Sequence, residues 1–190
     1  MGGEPEADVG LECMVETVNI SPALAVEGWM TAAELAWLAE QAVDHHKIVE
    51  IGSYLGRSTL ALLDNCDGIV YACDDWKGPR ESFIEHRNQL FTNFCLNVGH
   101  HILSGKVRIV SGDHADIQFN GKADMVFIDG SHEYEDVKRD ILFWKDKLEA
   151  GGLLCGHDAD WDTVAQAVEE TLGAVKVAED TNIWFKIWQP

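Results

Sequence analysis

Apolar positions along this chain fall into short continuous runs separated by helical stripes, and the two patterns alternate from end to end. Thr31-Ala32-Ala33-Glu34 has the form of a capping box, with Met30 and Leu35 placed to staple it. Leu35, Leu38, Ala39 and Ala42 then recur at helical spacing. A first strand is predicted over Lys47 to Ile51, a glycine turn after it, and a helix over Ser58 to Leu63. The second strand runs from Ile69 to Cys73 and ends at Asp74-Asp75-Trp76. A loop at Gly78-Pro79 leads to a helix over Ser82 to Asn97. The third strand covers Val107 to Ser111, and the fourth, Asp124 to Ile128, closes on Asp129-Gly130.

The clearest helix follows, over Tyr134 to Leu148. Tyr134, Val137, Ile141, Trp144 and Leu148 make one apolar stripe, and Glu133, Glu135 and Asp136 crowd its positive end. Gly151-Gly152 breaks it. A fifth strand, Leu153 to Gly156, ends in His157-Asp158. A helix over Thr163 to Leu172 stops at Gly173, and two strands finish the chain, Ala174 to Val177 and Ile183 to Trp188. Strands that are apolar throughout are buried on both faces. Alternating strands and helices therefore predict an α/β fold, a doubly wound parallel sheet with helices on both faces.

Composition narrows the class. A chain of 190 residues, 46% hydrophobic with seven tryptophans, fits one domain, 1–190, with a real core. Residues 1–28 read as a loosely ordered extension, because Met1 to Val9 is acidic and glycine-rich and has no signal-peptide form. No apolar run approaches the ~18 residues of a membrane helix, so no membrane partner is expected. The five cysteines show no C-x-x-C pairing, and Cys73 and Cys155 sit in apolar runs. Free buried thiols in a reducing cytoplasm are the reading. The net charge of −19 argues against a nucleic-acid partner, which needs a basic face.

In such sheets a ligand sits at the carboxyl ends of the strands. Glu50, Asp74, Asp113, Asp129, His157 and Asp158 all fall there. The turn Glu50-Ile51-Gly52-Ser53-Tyr54-Leu55-Gly56 is spaced E-x-G-x-x-x-G rather than the G-x-G-x-x-G of dinucleotide enzymes. Gly52 turns the backbone with no Cβ in the way, and Gly56 lets the helix start, near Ser58, approach a ligand. A carboxylate at Glu50 repels a diphosphate and accepts from an ammonium. The turn thus points to a nucleoside with an amino-acid tail.

These blocks, with Asp74 closing the next strand 24 residues after Glu50, resemble the class I S-adenosylmethionine-dependent methyltransferases over about Thr31 to Trp188. Phe127-Ile128-Asp129-Gly130-Ser131-His132-Glu133-Tyr134 and Gly151-Gly152-Leu153-Leu154-Cys155-Gly156-His157-Asp158 resemble a narrower group. It comprises the metal-dependent O-methyltransferases of macrolide-sugar tailoring and relatives associated with cephalosporin tailoring. The resemblance implies a Rossmann-like sheet of about seven strands, the last antiparallel. It implies S-adenosylmethionine as cofactor, held by Glu50, Gly52, Ser53, Tyr54, Gly56 and Ser58. Asp74, with Asp75 beside it, would take the ribose hydroxyls. Trp76 would pack on the adenosine or in the core. Asp113 and His114 lie where the adenine amino group is read, or Asp113 caps a helix. Asp129 would border the cofactor.

The resemblance also implies a divalent metal at Asp129, His157 and Asp158. His157 departs from the usual acidic pair, so it stands outside the ligand set or the metal is softer than Mg²⁺. His132 is implied as general base toward a small-molecule hydroxyl acceptor. A homo-oligomer is left open. The competing expectation is a protein that binds S-adenosylmethionine or S-adenosylhomocysteine without catalysis. A nicotinamide dehydrogenase is disfavoured by the glycine spacing.

Overall fold

The structure is a computed structural model and describes residues 17–78, 87–112 and 119–190. Seven strands form one sheet: β1 (Lys47–Ile51), β2 (Ile69–Asp74), β3 (Val107–Ser111), β4 (Ala123–Ile128), β5 (Leu148–Gly156), β6 (Lys176–Val177) and β7 (Trp184–Ile187). Their order is β3-β2-β1-β4-β5-β7-β6. The first five pair in parallel, and β7 runs antiparallel between β5 and β6. This is the expected doubly wound sheet. Its order reverses between β1 and β4, which opens a crevice at their carboxyl ends.

Side chains alternate across the sheet, so the apolar runs feed two cores. Ile48, Val70, Ala72, Met125, Phe127 and Leu153 face helices α2 (Ala32–Val43), α3 (Arg57–Leu63) and α4 (Arg87–Asn97). Val49, Ile51, Cys73, Val126, Ile128 and Leu154 face α6 (Tyr134–Lys145) and α7 (Asp162–Leu172). The capping box forms at the head of α2: Thr31 Oγ1 accepts from Glu34 N, and Glu34 Oε2 accepts from Thr31 N.

Three local expectations change. Part of the stretch expected to be loose is built into the fold: Ser21–Ala25 forms α1, with Ala23 buried. The Arg57 guanidinium holds it by donating to the Val26 and Met30 carbonyls. Helix α5 (Gly99–Ser104), which no stripe announced, follows α4 and ends on Gly105 in the left-handed region. Leu148 belongs to β5 rather than to the preceding helix. Its place one turn beyond Trp144 mimics the helical stripe, but the chain turns at Lys147 and Leu148 pairs with Ala123. Gly151 and Gly152 lie inside β5, where the register with β4 shifts. A Cβ on Gly152 would meet the Asp124 carbonyl oxygen at 2.8 Å.

Candidate active site

The sheet ladder continues past the strand ends and lines the site up. Gly52 N donates to the Cys73 carbonyl at 2.8 Å, Asp129 N to Ile51 at 2.8 Å and His157 N to Ile128 at 3.0 Å. Gly52, Asp129 and His157 thus sit side by side at one edge. Gly52 has φ +91°, and a Cβ there would stand 2.0 Å from the Asp129 carbonyl oxygen. The turn does need a residue with no Cβ, as expected, and the reason is backbone meeting backbone. Gly56, also left-handed, starts α3 against Phe94 and Val98.

Glu50 is fully buried. Its carboxylate accepts from the hydroxyls of Ser53 (2.6 Å), Ser58 (2.6 Å) and Thr59 (2.5 Å). Burial pushes its pKa up, against those three bonds. Glu50, Ser53 and Ser58 therefore hold the turn in shape from within, which corrects the expectation that Glu50 receives a ligand ammonium. Asp74 accepts from Tyr54 N (2.7 Å) on one oxygen and Trp76 N (2.6 Å) on the other. Each oxygen keeps a lone pair. Burial raises the Asp74 pKa, and backbone N–H groups of Tyr54, Trp76 and Ser53 oppose it. Asp75 turns aside to Lys77. Trp76, 2% exposed, packs on Phe91 and Phe94 and donates to the Tyr54 carbonyl at 2.9 Å. Of its two readings, the core one holds. Asp113 and His114 lie outside the described residues.

Four charged side chains meet at the ends of β4 and β5. Asp129 follows β4. Ser131 caps the turn into α6 by bonding Asp136 and Glu133 N, and His132 stands on that turn. The Thr163 hydroxyl, from α7, donates to the His132 carbonyl. His132 Nε2 lies 2.8 Å from Asp158 Oδ2, with its side chain 42% exposed and its ring beside Trp161. Asp158 adopts φ +58°. Its other oxygen is 3.1 Å from His157 Nδ1, which is 3.7 Å from Asp129 Oδ1. His157 Nε2 faces Glu34 Oε1 at 3.0 Å, a charge contact bent away from a straight hydrogen bond. Val164 and Trp184 close the cleft below, leaving about 10 Å³ of room.

The electrostatics follow from this packing. Burial pushes Asp129 up to about 7, even with His157 near. Burial also opposes charge on His157, but the bond to Asp158 and the surrounding carboxylates carry it up to about 9. Asp158 is held well below the usual carboxylate range, because His132 and His157 outweigh its burial. The bond to Asp158 raises His132.

A family model described as a methyltransferase domain matches residues 49–159, the span from β1 to the end of this cluster. The chain belongs to that methyltransferase family. Its fold is that of the class I S-adenosylmethionine-dependent enzymes. Solved structures agree on the fold. Cofactor-bound Rv0187 from MTB is 16% identical, covers 90% of this chain and 87% of its own, and has a TM-score of 0.65. The O-methyltransferase TomG from Streptomyces achromogenes, involved in tomaymycin synthesis and solved with S-adenosylmethionine, is 13% identical over 85% and 82% at 0.63. A protein from Staphylococcus aureus described as a putative caffeoyl-CoA O-methyltransferase is 16% identical over 83% of each chain, also at 0.63.

In this methyltransferase Gly52, Tyr54 and Asp74 gather around the β1 turn, and Asp74 is partly open there. Asp129 joins the two halves of the site. The expected metal ligands come together, but their chemistry differs from the expectation. Asp129, His132 and Asp158 offer atoms within 4.8 Å of one another. Asp158 is already shared by two imidazoles, and both nitrogens of His157 face carboxylates. Ligand imidazoles must be neutral, so a cation would first have to strip these contacts. The donor set fits a divalent metal poorly. Glu34 is the site residue that sequence reasoning missed. Its capping box was visible, but the box accounts for Oε2 alone, and Oε1 serves His157 and Asn182 N.

Proposed function

We propose that this methyltransferase transfers a methyl group from S-adenosylmethionine to a hydroxyl of a small molecule, with His132 as the base. The observation that carries the reading is the His132–Asp158 pair, with the His132 ring open to solvent and Asp158 largely covered, three residues beyond Asp129 at the carboxyl edge of the sheet. The cofactor, when bound, supplies an electrophilic methyl on a sulfonium. The chain supplies the rest. Asp74 offers its remaining lone pairs to vicinal hydroxyls, and Asp129 closes the space between turn and acceptor. With Nε2 engaged by Asp158, His132 has Nδ1 to receive the hydroxyl proton. Asp158 steadies the imidazolium that forms. The named O-methyltransferases among the structural relatives support oxygen as the acceptor atom. A divalent ion has no part in this reading, because the imidazoles already occupy its ligands. The buried free thiols of Cys66, Cys73 and Cys155 support a reducing, cytoplasmic setting.

The test begins with calorimetry of S-adenosylhomocysteine and a panel of sugars, catechols and hydroxy acids as acceptors. His132→Ala should lower turnover by roughly 10²–10⁴-fold and leave cofactor affinity unchanged. Because Asp158 raises the His132 pKa, turnover should climb with pH through a group above its ordinary value, and the variant should lose that limb. A His132→Ala enzyme with the parental rate and profile removes the base. Tight cofactor binding with no acceptor turned over favours a binding protein instead.

A further inference from the structure

The place of His157 is unusual for a histidine. Its side chain is 10% exposed and lies among three carboxylates from three elements: Glu34 at the head of α2, Asp129 after β4 and Asp158 after β5. Each ring nitrogen has a carboxylate oxygen as its near neighbour, at 3.0 Å on one side and 3.1 Å on the other. A neutral imidazole carries one N–H. One of its nitrogens would then turn a lone pair toward a carboxylate oxygen at about 3 Å, which is repulsive. Both contacts are attractive only when both nitrogens carry protons. The other charged neighbours divide: Glu50 adds a further carboxylate field at Asp129, whereas His132, which touches Asp158 on its far oxygen, opposes a second positive ring and is outnumbered by the carboxylates. The cleft beside the ring has about 10 Å³, the room of a single water.

We infer that the His157 side chain is the resident cation of this site, standing where the resemblance puts a divalent metal, and that the protein binds no metal there. This deepens the methyl-transfer reading and rests on it only for the meaning of the site. His157 is then a positioning residue. It holds one oxygen of Asp158 and leaves the other for His132, while Glu34 holds it from the core side. That pairing also explains why a helix-capping glutamate is buried to 3% exposure beside the end of β5.

The experiment follows cation binding without an acceptor. Protein treated with chelator and passed into metal-free buffer is melted alone and with millimolar Mg²⁺, Mn²⁺ or Co²⁺. The wild type should show one Tm throughout, since a ligand that binds only the native state must raise it. His157→Asp restores an acidic pair, and it should gain a cation-dependent rise in Tm and a one-to-one calorimetric isotherm with Mn²⁺. Nitrogen-detected NMR of the wild-type ring should show protons on both His157 nitrogens at neutral pH, a result that needs no variant to fold. A wild-type Tm that rises with any of the cations overturns the inference. So does a neutral His157 ring, or a folded His157→Asp protein indifferent to cations. Binding of S-adenosylhomocysteine is measured on the same samples. Its absence would refute the methyl-transfer reading and leave the cation result standing.

Discussion

At the scale of single residues, this site is made by backbone approach as much as by side chains. The β1 turn passes so close to the end of β4 that a Cβ on Gly52 would lie 2.0 Å from the Asp129 carbonyl oxygen, at a φ of +91° that disfavours any side chain. Gly52→Val should therefore cost stability first, at least about 3 kcal/mol. Urea unfolding measures it. A variant as stable as the parent, impaired only in cofactor binding, would return the glycine to the ligand-facing role. Glu50 shows the same logic from below. A buried carboxylate is expensive alone, and three hydroxyls within eight residues of the turn make it tolerable. The sequence motif of strand, acid and glycine was legible. What the acid does was not, because Ser53, Ser58 and Thr59 read as ordinary polar positions until the turn folds them onto it.

At the scale of elements, helix α2 does two jobs with one residue. Glu34 closes the capping box through Oε2 and reaches His157 through Oε1. Burial works against its charge, but backbone bonds from Thr31 and Asn182 keep its pKa low. The two jobs separate by mutation. Thr31→Ala removes the cap and should cost about 1 kcal/mol. Glu34→Ala also strands a buried imidazolium and should cost about 3–5 kcal/mol. Equal losses in chemical denaturation would reduce Glu34 to a cap. The elements themselves were largely readable. Five strands declare themselves as apolar runs bounded by charge or glycine, and their carboxyl ends carry the acidic residues of the site. The misreadings have physical causes. Leu148 continues the helical spacing of Trp144 although the chain has already turned into β5. Helix α5 is a single short piece, Gly-His-His-Ile-Leu-Ser, too brief to show a stripe. The tie between Glu34 and His157 joins residues far apart in the chain, and no local pattern encodes it.

At the scale of the whole molecule, the sheet edge concentrates charge inside a protein that carries a net −19, and this sets its response to pH. His157 is raised to about 9 in the fold, from an ordinary value of 6.5. Between those values the folded state holds a proton that the unfolded chain has released. The stabilisation is complete below pH 6.5 and is lost as pH rises through about 9. Asp129, raised to about 7 from 3.8, slopes the same way at lower pH, since the folded state keeps its proton longer. Asp158 and Glu34 are depressed and oppose this only in acid, where their support fades as they protonate. Thermal stability should thus fall from pH 6.5 to 9.5, and the His157 share should be about 2–3 kcal/mol. Repulsion among surface carboxylates also weakens the fold, but salt screens it and scarcely screens a cluster this buried. The measurement is a Tm series in chelator at low and high salt, for the wild type and His157→Gln. The alkaline limb should persist at high salt in the wild type and shrink in the variant to the part that His132 and the buried thiols contribute. A limb that vanishes with salt belongs to the surface, and one that survives undiminished in His157→Gln belongs to another group.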